Sequence, residues 1–195
     1  MARPRRGERR QLILEVLARL LQETQGEHIT TAQLARAVGV SEAALYRHFP
    51  SKAKMFEGLL EFIEETLFTR INRILAEESR AEARIQSILF LVLGFADKNP
   101  GMARLLYGDV LVGETERLRK RVAQIYERLE TQLKQILREA EVNENLRVPV
   151  TDVAALLLAI LEGSITRFVR SEFHSSPVAG WDKQWEMIRK SVFGK

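Results

Sequence analysis

The chain has 195 residues, 46% of them hydrophobic and 29% charged, with a net charge of +4 and no cysteine. That balance excludes general disorder, and the lack of cysteine excludes disulfides, thiolate metal sites and thiol nucleophiles and suits a reducing cytoplasm. The longest uncharged apolar run, Val153–Leu161, is far too short to cross a membrane, and the basic N-terminus has no apolar signal core, so neither membrane insertion nor secretion is expected.

Residues 1–7 read as a basic arm. From Glu8 to about Gln25, Leu12, Ile13, Val16, Leu17, Leu20 and Leu21 recur at the spacing of one helical face, and Gly26 is expected to end that helix. The positive charge gathers at this end. Residues 1–54 hold ten Lys and Arg against five Glu, or +5, which leaves −1 for the rest of the chain. A basic run alone is ordinarily a solvated tail; beside a groove-binding motif it becomes a phosphate-neutralising one.

Thr30 or Thr31 is a good N-cap for a second helix. Counting from Thr31 as position 1, a helix-turn-helix requires apolar residues at 4, 8, 10 and 15, a small residue at 5 and glycine at 9. Leu34, Val38, Val40, Leu45, Ala35 and Gly39 meet all six requirements. Ser41 caps the next helix, which is expected to enter a DNA major groove. There Ala43 and Ala44 permit close approach and touch thymine methyls, and Arg47 faces outward. Thr30, Thr31, Tyr46, His48 and Lys52 are placed for phosphate contact, as are Arg9 and Arg10 from the first helix. Glu42 is read as supporting the helix N-terminus rather than as a reader of cytosine.

Pro50 stops the recognition helix, and Ser51 caps a helix of about 26 residues with Met55, Phe56, Leu59, Leu60, Ile63, Leu67 and Ile71 on its apolar face. A helix from Ser79 closes at Asn99-Pro100-Gly101, and a short one covers Met102 to about Tyr107, with Gly108 and Gly113 bracketing a link. Thr115 to about Ala140 is helical and charged, and Glu141–Pro149 is a turn. Thr151 is expected to cap a helix reaching about Phe173. That helix is apolar around most of its girth, so one of its sides is expected to pack on a second subunit. Trp181 and Trp185 are read as a packing pair on the last helix.

The expected fold is therefore all-α, with about nine helices: a head (1–50) with the basic arm and helix-turn-helix, and a helical dimerisation and partner-binding body (51–195). No catalytic, metal or cofactor site is expected. The three histidines at 28, 48 and 174 have no histidine at i+3 or i+4, and no phosphate-binding glycine loop is present.

The stretch TTAQLARAVGVSEAALYRHFPSKAKMF and the long helix after it resemble the TetR family over roughly residues 8–60. The blocks EFIEETLFTRIN, LVLGF, KNPGMARLLYG and RFVRSEF extend the resemblance over most of the chain, to the nucleoid-occlusion branch of that family. The resemblance implies a homodimer that binds palindromic sites in double-stranded DNA, with one dimer or several at each site. It implies a cytoplasmic, nucleoid-associated protein which, when DNA-bound, antagonises polymers of the tubulin-like division protein FtsZ. The positions matching the FtsZ-facing surface are Phe62, Arg70, Leu91, Gly94, Lys98 and Asn99; lysine at 98, where arginine is expected, keeps the charge but not bidentate hydrogen bonding. The alternative is a ligand-released repressor of the same family. It needs a pocket in the body, where Arg104, Tyr107, Tyr126, Glu162 and Thr166 are the polar candidates, all read first as surface or interface groups.

Overall fold

A computed structural model describes residues 6–24 and 29–194, and among these the chain forms nine α-helices, one 3-10 turn and no strand. The helices are α1 (Arg6–Glu23), α2 (Thr31–Val38), α3 (Glu42–Tyr46), α4 (Lys52–Glu77), α5 (Ala81–Lys98), α6 (Pro100–Tyr107), α7 (Glu116–Asn143), α8 (Val150–Arg170) and α9 (Trp181–Phe193), with the 3-10 turn at Asp109–Leu111. Residues 1–5 of the basic arm, Gly26 as a helix stop, and His28 lie outside the described residues.

Several boundaries differ from the sequence expectation, each for a local reason. The first helix begins at Arg6 rather than Glu8. Helix α6 starts at Pro100, whose fixed φ and missing N–H suit a first turn. Thr151 is not the cap of α8; Pro149 holds that position and Thr151 lies inside the first turn. At the other end α8 stops at Arg170, because Glu172 and Phe173 take φ of +53° and +67° and the Phe173 N–H turns back to Phe168 O at 2.9 Å.

The described residues fall into two compact units. One lies within Met1–Ile63 and Asn99–Val122. Its core is built from Ile13, Leu17 and Leu21 of α1, Leu34, Leu45 and Phe49 of the helix-turn-helix, Met55, Phe56, Leu59, Leu60 and Ile63 of α4, and Ala103 and Leu105 of α6. Helices α1 and α6 touch closely: a Cβ on Gly101 would lie 1.9 Å from Ala18 O. Arg104, read from sequence as a surface or interface group, is instead 4% exposed. Its Nη1 donates to Leu21 O (2.8 Å) and Thr24 O (2.5 Å), and its Nε and Nη2 donate to Asp109 Oδ2 (2.9 and 2.6 Å). One guanidinium thus satisfies carbonyls at the C-terminal end of α1 and fixes the turn after α6.

The second unit lies within Glu64–Lys98 and Ala123–Lys195. Ile85, Ile88, Leu89, Val92, Leu93 and Ala96 line the buried face of α5, which packs against α8 and α9. Arg84 secures the start of α5 by donating to Leu75 O, Glu78 O and Glu139 Oε2. The guanidinium of Arg128 lies 3.7 Å from the Phe68 ring centroid. Trp181 and Trp185 form the expected pair, both buried, with ring centroids 6.1 Å apart. Burial pushes the Tyr126 hydroxyl well above the ordinary tyrosine range, with the nearby Glu162 charge adding to the effect. Glu162 is itself raised by burial and by Glu130. On α8, Ala155, Leu156, Ala159 and Gly163 form an exposed stripe, with Leu156 at 55%.

Candidate nucleic-acid interface

Hydrogen bonds within a few residues build the helix-turn-helix. Thr30 sits in extended backbone (φ −88°, ψ 155°), and its Oγ1 accepts from Gln33 N at 3.2 Å while Thr30 N donates to Gln33 Oε1 at 2.8 Å. This reciprocal capping box satisfies two donors that a helix start otherwise leaves open. At the other end of α2, Gly39 takes φ +76°; its N–H donates to Arg36 O (3.1 Å) and the Val40 N–H to Ala35 O (3.0 Å). That pair of bonds is a Schellman stop, and the left-handed φ is why glycine stands there. Ser41 then caps α3, its Oγ accepting from Ala44 N at 3.2 Å. Leu34, Ala35 and Leu45 are buried, and Val38 and Val40 half-buried, so these five template side chains form the inner side of the motif, while Gly39 at the turn is exposed.

Residues left outward are those a groove would meet. Ala43, Tyr46 and Arg47 are exposed, and Ala44 and His48 half-buried. Thr31 Oγ1 donates to Glu42 Oε2 at 2.8 Å and receives the Tyr46 hydroxyl at 3.4 Å, so the start of α2 is tied to both ends of α3 by a side-chain chain of three. From α1, the exposed Arg10 lays its guanidinium 4.3 Å from the ring centroid of Phe49, just past α3; Arg9 beside it is half-buried. Arg10 and the end of the recognition helix are thus brought together on one side of this unit.

Lys52 is placed differently from a free phosphate ligand. Its Nζ lies 2.7 Å from Glu114 Oε1 and 5.5 Å from the Phe56 ring centroid. Next to it, the Lys54 ammonium bonded to Glu57 holds that carboxyl below the ordinary carboxylate range, with Arg117 contributing. The first two turns of α4 are thereby linked to the segment entering α7. Sequence reading missed Glu42 as the partner of Thr31 and Glu114 as that of Lys52, because neither spacing nor periodicity marks a partner 11 or 62 residues away.

The remaining candidates divide between the two units. Phe62 and Asn99 belong to the first; Phe62 is 36% exposed, and Asn99 O accepts from Met102 N and Ala103 N at the start of α6. Arg70, Leu91, Gly94 and Lys98 belong to the second. Leu91, Gly94 and Lys98 stand at i, i+3 and i+7, one stripe of α5. A Cβ on Gly94 would meet nothing within 4 Å, so packing does not explain the glycine. Phe90, half exposed beside Leu91, is an aromatic that the sequence reading passed over. Of the polar groups considered for a ligand pocket, Arg104 is committed to its four contacts and Tyr107 is exposed.

A family model described as bacterial regulatory proteins, tetR family, matches residues 13–59, and an SlmA-like model described as tetracyclin repressor-like, C-terminal domain, matches residues 79–192. Among curated proteins, the nucleoid occlusion factor SlmA of Marinomonas sp. (strain MWYL1) is 57% identical over 96% of both chains. That of Vibrio campbellii (strain ATCC BAA-1116) is 52% identical over 98% of this chain and 100% of its own. Among solved structures, a TetR transcription regulator from Haloarcula marismortui superposes with a TM-score of 0.79 at 21% identity, covering 95% of this chain and 98% of its own. FadR of Bacillus subtilis, solved with stearoyl-CoA, gives 0.74 at 16% identity, covering 95% and 98%. At those identities the two structures speak to the fold alone.

Proposed function

The chain belongs to the TetR family of bacterial regulatory proteins, among the nucleoid occlusion factors SlmA, and on that premise we propose that it acts as a DNA-bound homodimer opposing FtsZ assembly over the chromosome. The observation that carries DNA recognition is the helix-turn-helix itself, with its capping box, its left-handed Gly39 and a recognition helix whose small residues point outward. Two such helices related by a two-fold axis enter successive major grooves about 34 Å apart and read a palindrome. Arg9, Arg10, Thr30, Thr31, Tyr46, His48 and Lys52 supply phosphate contacts, Ser41 caps the recognition helix, Arg47 faces the groove side, and Ala43 and Ala44 meet base edges. Affinity then falls steeply with salt.

The exposed stripe Ala155, Leu156, Ala159 and Gly163 on α8 supports a homodimer, because a small, apolar helix face is otherwise left in water. For the partner surface, support comes from the exposed Arg70 and Lys98, from the exposed rim of Phe62, and from Gly94, where open space rather than packing surrounds the missing side chain. Leu91 and Asn99 complete that proposed set. Lys52, paired with Glu114, joins the DNA face to the segment leading into α7, so a phosphate that takes Lys52 also frees Glu114. Nucleoid association in the cytoplasm follows from the DNA-bound role; no helix among the described residues is long and apolar enough to cross a membrane.

Sedimentation of FtsZ polymers with this protein, with and without specific duplex, tests the proposal. Loss of pelleted polymer that requires the duplex is expected. Equal pelleting in all conditions sinks the FtsZ role while leaving DNA binding standing.

A further inference from the structure

Glu42 opens α3 with its carboxylate turned back onto α2, where Oε2 accepts the Thr31 hydroxyl at 2.8 Å; the Tyr46 hydroxyl reaches Thr31 Oγ1 at 3.4 Å. Glu42 and Tyr46 are exposed and Thr31 is half-buried. A threonine hydroxyl carries one proton. While Glu42 holds it, Thr31 has none to offer a phosphate, and Tyr46 is directed at the same oxygen. Phosphate and carboxylate oxygens are the same kind of acceptor, so a DNA phosphate arriving at Thr31 competes directly with Glu42. A carboxylate on a surface that meets a polyanion also repels every duplex alike. It lowers affinity for all sequences unless some base compensates it.

From this geometry we infer that Glu42 determines sequence specificity: released from Thr31 by a backbone phosphate, its carboxylate accepts a hydrogen bond from the N4 amine of a cytosine in the major groove. The inference rests on the DNA-reading role of α3 proposed above. Cytosine alone presents a lone amine donor at that groove edge, and Glu is one of the side chains that accepts from it. The hydrogen-bond inventory then closes. Thr31 donates to phosphate, the Tyr46 hydroxyl turns to the same phosphate group, and Glu42 receives the amine. Opposite guanine or thymine the carboxylate faces acceptors or a methyl with no donor, and opposite adenine the N6 amine lies beside the N7 acceptor, which repels the carboxylate, so binding is weakened there. Discrimination arises from the penalty at wrong sites as much as from the bond at the right one. Ala43 beside it has no side chain long enough to obstruct the approach.

The test is selection of bound duplexes from a random library by the full-length protein and its Glu42→Ala and Glu42→Gln variants, followed by fluorescence anisotropy on the selected duplexes. The unsubstituted protein is expected to fix one C·G pair per half-site, and changing that pair to weaken binding about tenfold. With Glu42→Ala, preference at that pair falls to within about twofold and affinity for unselected duplex rises. With Glu42→Gln, which is isosteric and preserves the fold, preference moves toward adenine, the base whose edge matches an amide. Identical motifs from all three proteins, or a uniform loss of affinity for every duplex, overturn the inference and leave Glu42 as helix support. If the unsubstituted protein enriches no motif at all, the DNA-reading role fails first, a result distinct from either.

Discussion

Lys52 Nζ lies 2.7 Å from Glu114 Oε1, so the cation that opens α4 beside the recognition helix is already held by the segment entering α7. The pair is only partly exposed, at 26% and 16% for the two side chains. Replacing Glu114 by Gln removes the competing charge. Operator affinity is expected to rise about threefold at low salt, the worth of a partly exposed ion pair, and Lys52→Ala is expected to flatten the salt slope by about 0.9. Anisotropy titrations at several salt concentrations check both. Unchanged slopes in the two variants remove Lys52 from the phosphate contacts.

Arg104 is a buried clamp in the first unit. Arg104→Met leaves the carbonyls of Leu21 and Thr24 and the carboxylate of Asp109 without their donors. Arg104 is buried but the Asp109 side chain is 31% exposed, so the cost is expected at about 3 kcal/mol, the low end for breaking a buried pair from one side. Among the described residues Asp109 Oδ1 has no partner, so adding Asp109→Asn is expected to recover part of the loss by removing the stranded charge. Urea denaturation of the single and double variants measures the difference.

At Gly101 the limit is steric. Its Cβ would overlap Ala18 O, a backbone atom that cannot swing aside. Gly101→Ala is expected to destabilise by about 3 kcal/mol, the upper end for overpacking, and to lower the melting temperature by roughly 6–12 °C in a chain of this size. Gly94→Ala, where the added methyl meets nothing, is the control and is expected to raise the melting temperature by about 2–4 °C, because alanine is the better former inside α5.

Thr30→Ala removes the oxygen that caps α2 and a hydroxyl that donates to Gln33 Oε1 at 3.0 Å and is proposed to turn to a phosphate when DNA binds. The cap is worth about 1 kcal/mol, so the variant stays folded while operator affinity drops. Circular dichroism together with anisotropy separates the two effects; full affinity in a folded Thr30→Ala protein rules out its role at the phosphate.

Arg70 is exposed on α4, in the unit that does not hold the helix-turn-helix. Arg70→Glu is expected to abolish protection against FtsZ polymer assembly and to leave operator affinity within about twofold, since a surface charge outside the contact changes little. A joint loss of both activities means that the surface is misassigned.

The helix-turn-helix was almost wholly legible in the sequence. Leu34, Ala35, Leu45 and Gly39 behave as their spacing demands, with three side chains buried and one left-handed φ. The Trp181–Trp185 pair was legible for the same reason, a helical repeat of four. Arg104 was not: in sequence it is a charged residue on a short amphipathic helix, and only the approach of α1 turns it into a buried clamp. Glu42 was legible as a first-turn acid, whereas its bond to Thr31 depends on the angle at which Gly39 sets α3 against α2.

What the sequence by itself determined is which helices form, in what order and with which apolar side, together with the family to which those blocks belong. Caps, glycine stops and periodicity act over one or two turns, so the local order of residues contains most of them, though not the cap and the end of α8. The tertiary structure alone decided which charges are engaged: Lys52 with Glu114, Arg104 with Asp109 and the end of α1, Glu42 with Thr31. Three of these contacts, Lys52 with Glu114, Arg104 with the end of α1 and Glu42 with Thr31, join residues on different elements, and a hydrogen bond exists only within about 3 Å. Their partners are therefore set by how the helices pack side by side.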